Sequence, residues 1–357
     1  MRILLLSRYS ALGASSRIRN YQYIPYLEAH GFRITVAPLF DDEYLKALYS
    51  HGRRDWWRIF CNYCNRFRYL LGSRRYELIW IEKELFPFIP ALLEILMSHM
   101  GVPYIVEYDD AVFHRYDLHP NKFVRVLLGS KIDAIMRRSA MVIAGNEYLA
   151  ERARKSGASQ VEIIPSVIDL ERYPLAPKTR DHIFKVGWIG APVTAKYIHH
   201  IHSALAEVFK DGQSQLILVG SGQMELEGIP VDIRSWSEDT EIHDLQSFDV
   251  GIMPLPDEPW ERGKCGFKLI QYMACGKPVV ASPVGVNRQI IIDGINGFLA
   301  ATKDDWIKAL SSLRDDPDLR ERMGTESRKM LEANYCLQVT APRLADLLYS
   351  AAGKDRG

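Results

Sequence analysis

Cysteine is scarce, five residues in 357, and the number is odd. That usage excludes a disulfide-built scaffold and fits reduced thiols in a cytosol. Cys61 and Cys64 form a C-x-x-C pair, but no second pair or histidine cluster follows at zinc spacing. A packed or exposed helical pair is the plainer reading. Long apolar runs are also missing. The best candidate, residues 85–100, carries Pro87, Pro90, Glu94 and His99, which argues against a bilayer-crossing helix. Residues 1–7 (MRILLLS) are apolar but far too short for a signal h-region followed by a cleavage site. Neither sign of charge dominates: 45 basic against 44 acidic side chains give a net +1. The first strand-to-helix loop lacks a G-x-G-x-x-G fingerprint, which weakens a dinucleotide-dependent dehydrogenase, and no short repeat is visible.

What is present is ordinary globular material, 47% apolar and 25% charged, enough for two domains of roughly 150–180 residues each. Short apolar runs alternate with helical stretches. Strands are predicted at residues 2–6, 32–38, 78–82, 104–108, 141–144 and 161–164, with a first helix from about 16 to 30. Continuous apolar strands separated by helices indicate a parallel sheet covered on both faces. The pattern restarts with strands at 185–189, 215–219, 231–234, 249–253 and 278–282. Residues 170–181 (LERYPLAPKTRD), with two prolines and several charges, read as the linker. The expected class is α/β, two doubly wound, Rossmann-like domains in tandem.

The most informative segment is 248–300, FDVGIMPLPDEPWERGKCGFKLIQYMACGKPVVASPVGVNRQIIIDGINGFLA. A strand ends at Pro254, and a loop rich in Pro, Gly and charge opens a helix at about Gly266. The unpaired amides of a helix N-terminus favour an anion, and Lys264 and Lys268 on that turn would reinforce it. A diphosphate is the natural guest. Gly276 and Pro278 then end the helix.

KLIQYMACGKPVVASPVGVN followed by DGINGFLA resembles the donor-binding region of the retaining family-4 glycosyltransferases, which have the GT-B fold. GWIGAPVTAKY (187–197), LVGSGQ (218–223), IIPSVID (163–169) and LGASSRIR (12–19) match the same family in its order. The resemblance covers nearly the whole chain. It implies an acceptor domain (1–170), a donor domain (171–336), and a helix and tail (337–357) that return to the first domain. It also implies metal-independent transfer with retention from a UDP- or GDP-linked sugar, with no cofactor. Donor contacts are then expected from Gly13, Ala14, Gly190, Thr194, Lys196, Trp236, Lys264, Gly266, Phe267, Lys268 and Gln271. Trp236 can stack on the base or pack inside. Two departures stand out. The family's pair of glutamates, eight positions apart, reads Gly263 and Gln271, and its usual arginine after the first donor-domain strand reads Ala191. Gln271 can still hydrogen-bond ribose hydroxyls.

In the first half, Gly13 allows close backbone approach to a ligand or simply makes a turn. Arg17 or Arg19 could meet an acceptor phosphate. EYDDAVFH (107–114) ends a strand and supplies Asp109, Asp110 and His114 as candidates for orienting the acceptor hydroxyl, helix capping being the alternative for the aspartates. The aspartate pair resembles the metal-chelating pair of a different glycosyltransferase fold, but the rest of the chain follows the metal-independent family. Finally, residues 51–76 interleave Arg53, Arg54, Arg58, Arg66, Arg68, Arg74 and Arg75 with Trp56, Trp57, Phe60 and Phe67 against a single acid, Asp55. Such a helix suits an anionic membrane surface and a lipid-linked acceptor, the alternative being a helix that packs its aromatics on the core. No nucleic-acid motif accompanies it. A cytoplasmic enzyme, peripheral on the inner face of the plasma membrane and building a surface glycan, is the expected whole, the alternatives being a non-catalytic nucleotide-sugar-binding protein or a nucleotide-sugar epimerase.

Overall fold

The computed structural model describes residues 1–51, 55–175, 183–210 and 212–353. Arg53, Arg54 and the second half of the expected linker (176–181) lie outside them. Two compact units emerge. The first comprises Met1–Ser166, Gly263–Cys265 and Leu337–Gly357, and the second Val167–Arg262 and Gly266–Cys336.

The first unit is built on a six-stranded sheet of order β2-β1-β3-β4-β5-β6, all pairs parallel. Its strands are β1 (Arg2–Leu6), β2 (Arg33–Val36), β3 (Leu78–Glu82), β4 (Tyr104–Tyr108), β5 (Met141–Ala144) and β6 (Val161–Ile163). Every residue of β3, β4 and β5 is buried, as expected for central strands with helices on both faces. The single helix expected over 16–30 is instead Ala14–Arg19, a 3₁₀ turn Tyr21–Tyr23, and Ile24–Ala29. Pro25 has no N–H to continue the ladder and restarts the helix at its first turn. The Trp56–Leu71 helix begins on Asp55, whose carboxylate accepts from the amides of Trp57 (3.0 Å) and Arg58 (3.2 Å). The last helix, Leu337–Ala351, belongs to this unit: Thr340 bonds Tyr23 Oη (3.0 Å), and Arg343 pairs with Glu162 (3.0 Å).

The second unit repeats the plan with order β12-β11-β10-β7-β8-β9, again parallel. Its strands are β7 (Phe184–Ile189), β8 (Ser214–Val219), β9 (Val231–Arg234), β10 (Val250–Met253), β11 (Val279–Ala281) and β12 (Gly297–Leu299). β12 lies inside the DGINGFLA motif, too short and glycine-led to register as an apolar run. The two sheets make this an α/β protein of the GT-B fold. Among the described residues no helix is long and apolar enough to cross a membrane.

Candidate active site

Within the second unit, the carboxyl ends of β7 and β8 form a tight backbone corner. Gly190 follows β7, and its amide donates to Val219 O (3.0 Å). Gly220 follows β8 with φ +76°, and a Cβ there would sit 2.6 Å from Gly190 O and 3.1 Å from Trp236 Cβ. A side chain at Gly190 would in turn lie 2.6 Å from Lys268 Cε and 2.8 Å from the Trp188 ring. Both positions therefore require glycine, and the contacts run Lys268–Gly190–Gly220–Trp236 without a break. This brings together three of the expected donor residues.

Lys268 sits on the first turn of the helix Phe267–Ala274, whose N-cap, Gly266, is left-handed (φ 66°, ψ 19°). Its ammonium lies 5.1 Å above the ring of buried Trp188. That cation–π contact helps to hold the side chain of a residue on the helix's first turn, where backbone amides lack intrahelical partners. Trp236 keeps one face open, 38% exposed, while its Nε1 donates to Glu241 (2.7 Å). It is thus neither a fully buried packing residue nor loose. Thr194 donates to Ala191 O (2.9 Å), exposed Lys196 reaches over Tyr197 (5.3 Å), and Phe267 is half-buried against the core.

Two expected donor residues stand elsewhere. Gln271 is buried and hydrogen-bonds Tyr173, which also donates to Glu241 (2.7 Å), so its amide faces inward. Lys264 belongs to the first unit, where its ammonium pairs with Asp110 at 2.9 Å. Gly263 belongs there too: a Cβ would lie 2.6 Å from Ala111 Cβ and 2.8 Å from Ala111 N. The absent glutamate is a steric consequence of that backbone contact. Asn146 holds the segment by donating to Gly263 O (3.0 Å) and Lys264 O (2.9 Å).

The first unit gathers charge at the carboxyl ends of β1, β3 and β4. Lys83, one residue past β3 with φ 67°, is buried and reaches Asp109 (2.8 Å), Asp110 (3.9 Å) and Ser15 Oγ (3.1 Å). Burial pushes the Asp109 carboxyl up, but the Lys83 ammonium and the Ser15 hydroxyl pull it down harder, to about 2. Asp110 is the more accessible carboxylate, bracketed by Lys83 and Lys264. Glu84, fully buried, takes bonds from Lys131 (2.5 Å), Tyr116 (2.7 Å) and Arg8 (3.2 Å). Sequence reasoning missed Lys83, although an acid–base–acid run, Glu82-Lys83-Glu84, directly after an apolar strand was a visible signal.

Three further expectations need correction. Arg19 is buried against Glu107 (2.6 Å), whose other oxygen accepts from Asn20 (2.8 Å) and Trp80 (2.9 Å), so it is a structural cation and not a phosphate ligand. His114 has both ring nitrogens engaged, by Asp117 and Tyr148 (2.8 Å each), on a helix past the aspartates. Gly13 is buried, and a Cβ there would meet Tyr9 Cβ at 2.4 Å, so packing alone already requires glycine. Ala14 is exposed, and Arg17 donates to Ala11 O (3.2 Å).

Residues 182–316 match the model of the family Glycosyl transferases group 1. That match lies almost wholly within the second unit. A D-inositol 3-phosphate glycosyltransferase of Paenarthrobacter aurescens is 40% identical over 82 residues, covering 22% of this chain and 19% of that protein. An alpha-D-kanosaminyltransferase of Streptomyces kanamyceticus is 26% identical over 187 residues, 50% of this chain and 47% of that one. The chain thus spans less than half the length of these curated relatives. The solved structure of Anabaena Alr3699/HepE in complex with UDP shares the fold with TM-score 0.73 at 17% identity, covering 98% of this chain and 100% of that one. WaaG, a glycosyltransferase involved in lipopolysaccharide biosynthesis, follows with TM-score 0.68, 14% identity, and 98% and 99% coverage. Within the second unit, the group 1 match spans the glycine corner and the Lys268 helix alike.

Proposed function

We propose that the chain is a glycosyltransferase that moves a sugar from a UDP- or GDP-linked donor to a lipid-linked or glycan hydroxyl, with retention and without a metal. The observation that carries this is the glycine corner at β7 and β8 facing Lys268: side-chain-free backbone beside a helix amide end and a fixed ammonium suits a diphosphate. Half-open Trp236 offers a face to the base. In a retaining reaction the leaving diphosphate helps to deprotonate the acceptor hydroxyl, so the protein mainly positions reactants and stabilises charge developing on the leaving group. Asp110, bracketed by Lys83 and Lys264, orients the hydroxyl.

Similarity to WaaG favours surface-glycan synthesis, and the outward aromatics of the Trp56–Leu71 helix favour an anionic membrane surface on the cytoplasmic side, met through residues 51–76. A second reading, a nucleotide-sugar-binding protein without transfer, draws on Gly263 and the inward Gln271. Calorimetric titration with UDP, GDP and their sugar conjugates, without added metal, tests the donor site. Tight binding of one diphosphate with slow donor hydrolysis supports transfer; binding without hydrolysis or transfer selects the second reading, and no binding rejects both.

A further inference from the structure

Of twenty-three large apolar side chains exposed among the described residues, fourteen fall between Trp56 and Leu127, in the first unit. Nine of them form two groups. One is the Trp56–Leu71 helix, where Trp56 and Trp57 are each 72% exposed. The other, unnoticed in the sequence, surrounds the Lys122–Leu128 helix: Phe123 is 85% exposed, with Val126, Leu127 and Leu118 beside it.

Phe88 joins the groups. Its backbone is left-handed at φ 60°, a conformation unfavourable for a non-glycine residue. Despite that strain, its ring is half-exposed. On one side its amide donates to Tyr116 (3.1 Å), and its ring meets His119 edge-on at 6.4 Å, at the entrance to the Lys122–Leu128 helix. On the other side, the preceding Pro87 O accepts from Tyr63 of the Trp56–Leu71 helix (3.0 Å). Phe88 is thus tied to both neighbourhoods, an exposed apolar residue standing between the two groups in the same unit.

The charge around the two groups selects the occupant. Residues 56–76 and 118–132 contain no Asp or Glu, while Arg68, Arg74, Arg75 and Lys122 are exposed. A second copy of the chain would set cations against cations. Anionic headgroups complement them, and protruding Trp and Phe side chains suit the headgroup–acyl boundary.

We infer that Leu118 and the Lys122–Leu128 helix are a second bilayer-inserting wedge, so that the first unit lies on an anionic membrane through two separated contacts with Phe88 between them. Two contacts fix the unit's orientation on the surface, which a single amphipathic helix does not. The inference rests on the membrane reading of the Trp56–Leu71 helix, and its test separates the two.

The full chain is co-sedimented with phosphatidylglycerol–phosphatidylcholine vesicles and with pure phosphatidylcholine vesicles, beside the variants Phe123→Ser/Leu127→Ser and Trp56→Ser/Trp57→Ser. Because these side chains are exposed, unchanged melting temperatures verify folding. The Phe123→Ser/Leu127→Ser pair is expected to lower partitioning onto the anionic vesicles at least about tenfold. Loss in the tryptophan variant with none in Phe123→Ser/Leu127→Ser overturns the second wedge and leaves the first. Absence of wild-type binding to anionic vesicles overturns both. A concentration-dependent dimer that dissolves in Phe123→Ser/Leu127→Ser, with no vesicle binding, also overturns the wedge and assigns the face to self-association.

Discussion

Lys268→Met isolates the charge in the proposed donor cradle. Methionine retains an unbranched stem over Trp188 and beside Gly190, so packing at the corner survives while the ammonium is lost. A unit charge about 4 Å from a phosphate, at an effective dielectric of ~20, interacts by ~4 kcal/mol before desolvation. A charge-assisted hydrogen bond nets about 1.5–3 kcal/mol, so the dissociation constant for the diphosphate should rise about 10- to 150-fold. Calorimetry with the preferred nucleoside diphosphate reads this directly, and salt should weaken wild-type binding more than the variant's. A dissociation constant within twofold of wild type, with the melting temperature unchanged, would falsify the assignment of this helix entrance as the phosphate site.

Replacing Gly263 with Glu should not restore the missing carboxylate. Its Cβ would stand 2.8 Å from Ala111 N, so thermal stability should fall by about 1–3 kcal/mol, and an unchanged melting temperature would refute the steric reason. Arg19→Met leaves Glu107 buried beside only Asn20 and Trp80; urea unfolding should show a loss of about 3–5 kcal/mol, partly recovered by adding Glu107→Gln. Asp110→Asn should lower kcat more than donor affinity, and a fully active variant would return Asp110 to a structural role. Asp109 titrates lower in the folded state, about 2 against 3.8, so its stabilisation is present above pH 4 and lost as pH falls through 2. Across that window wild type should lose about 2 kcal/mol more than Asp109→Asn in denaturant titrations; parallel curves would exclude the Lys83–Asp109 pair as the cause.

Much of the fold was legible because its signals are local. Apolar runs such as LIWIE and YIVEY can only be central strands of a covered parallel sheet, and they are β3 and β4. The glycine corner was partly legible for a related reason: Gly190, Gly266 and Lys268 lie within a residue or two of a strand or helix end, while the donor role expected of them came from the family resemblance. Residues 51–76 announced a helix, but not which way it would turn. Its inward cation, Arg66, reaches Ser7 O and Ala37 O (3.1 Å for the latter), which pins the aromatics outward.

What composition and spacing determined by themselves is the order of strands and helices and the glycine–helix grammar of the donor end, since backbone conformation is chosen within a few residues. What only the tertiary structure decided is which charges meet. Lys264 finds Asp110 from 154 positions away, and Arg19 finds Glu107 from 88. A buried charge such as Arg19 must be paired, and the partner is set by whichever strand end the fold delivers to it. For the same reason Gln271 turns inward to Tyr173, and Lys83, silent as a sequence feature, becomes the centre of the acidic cluster.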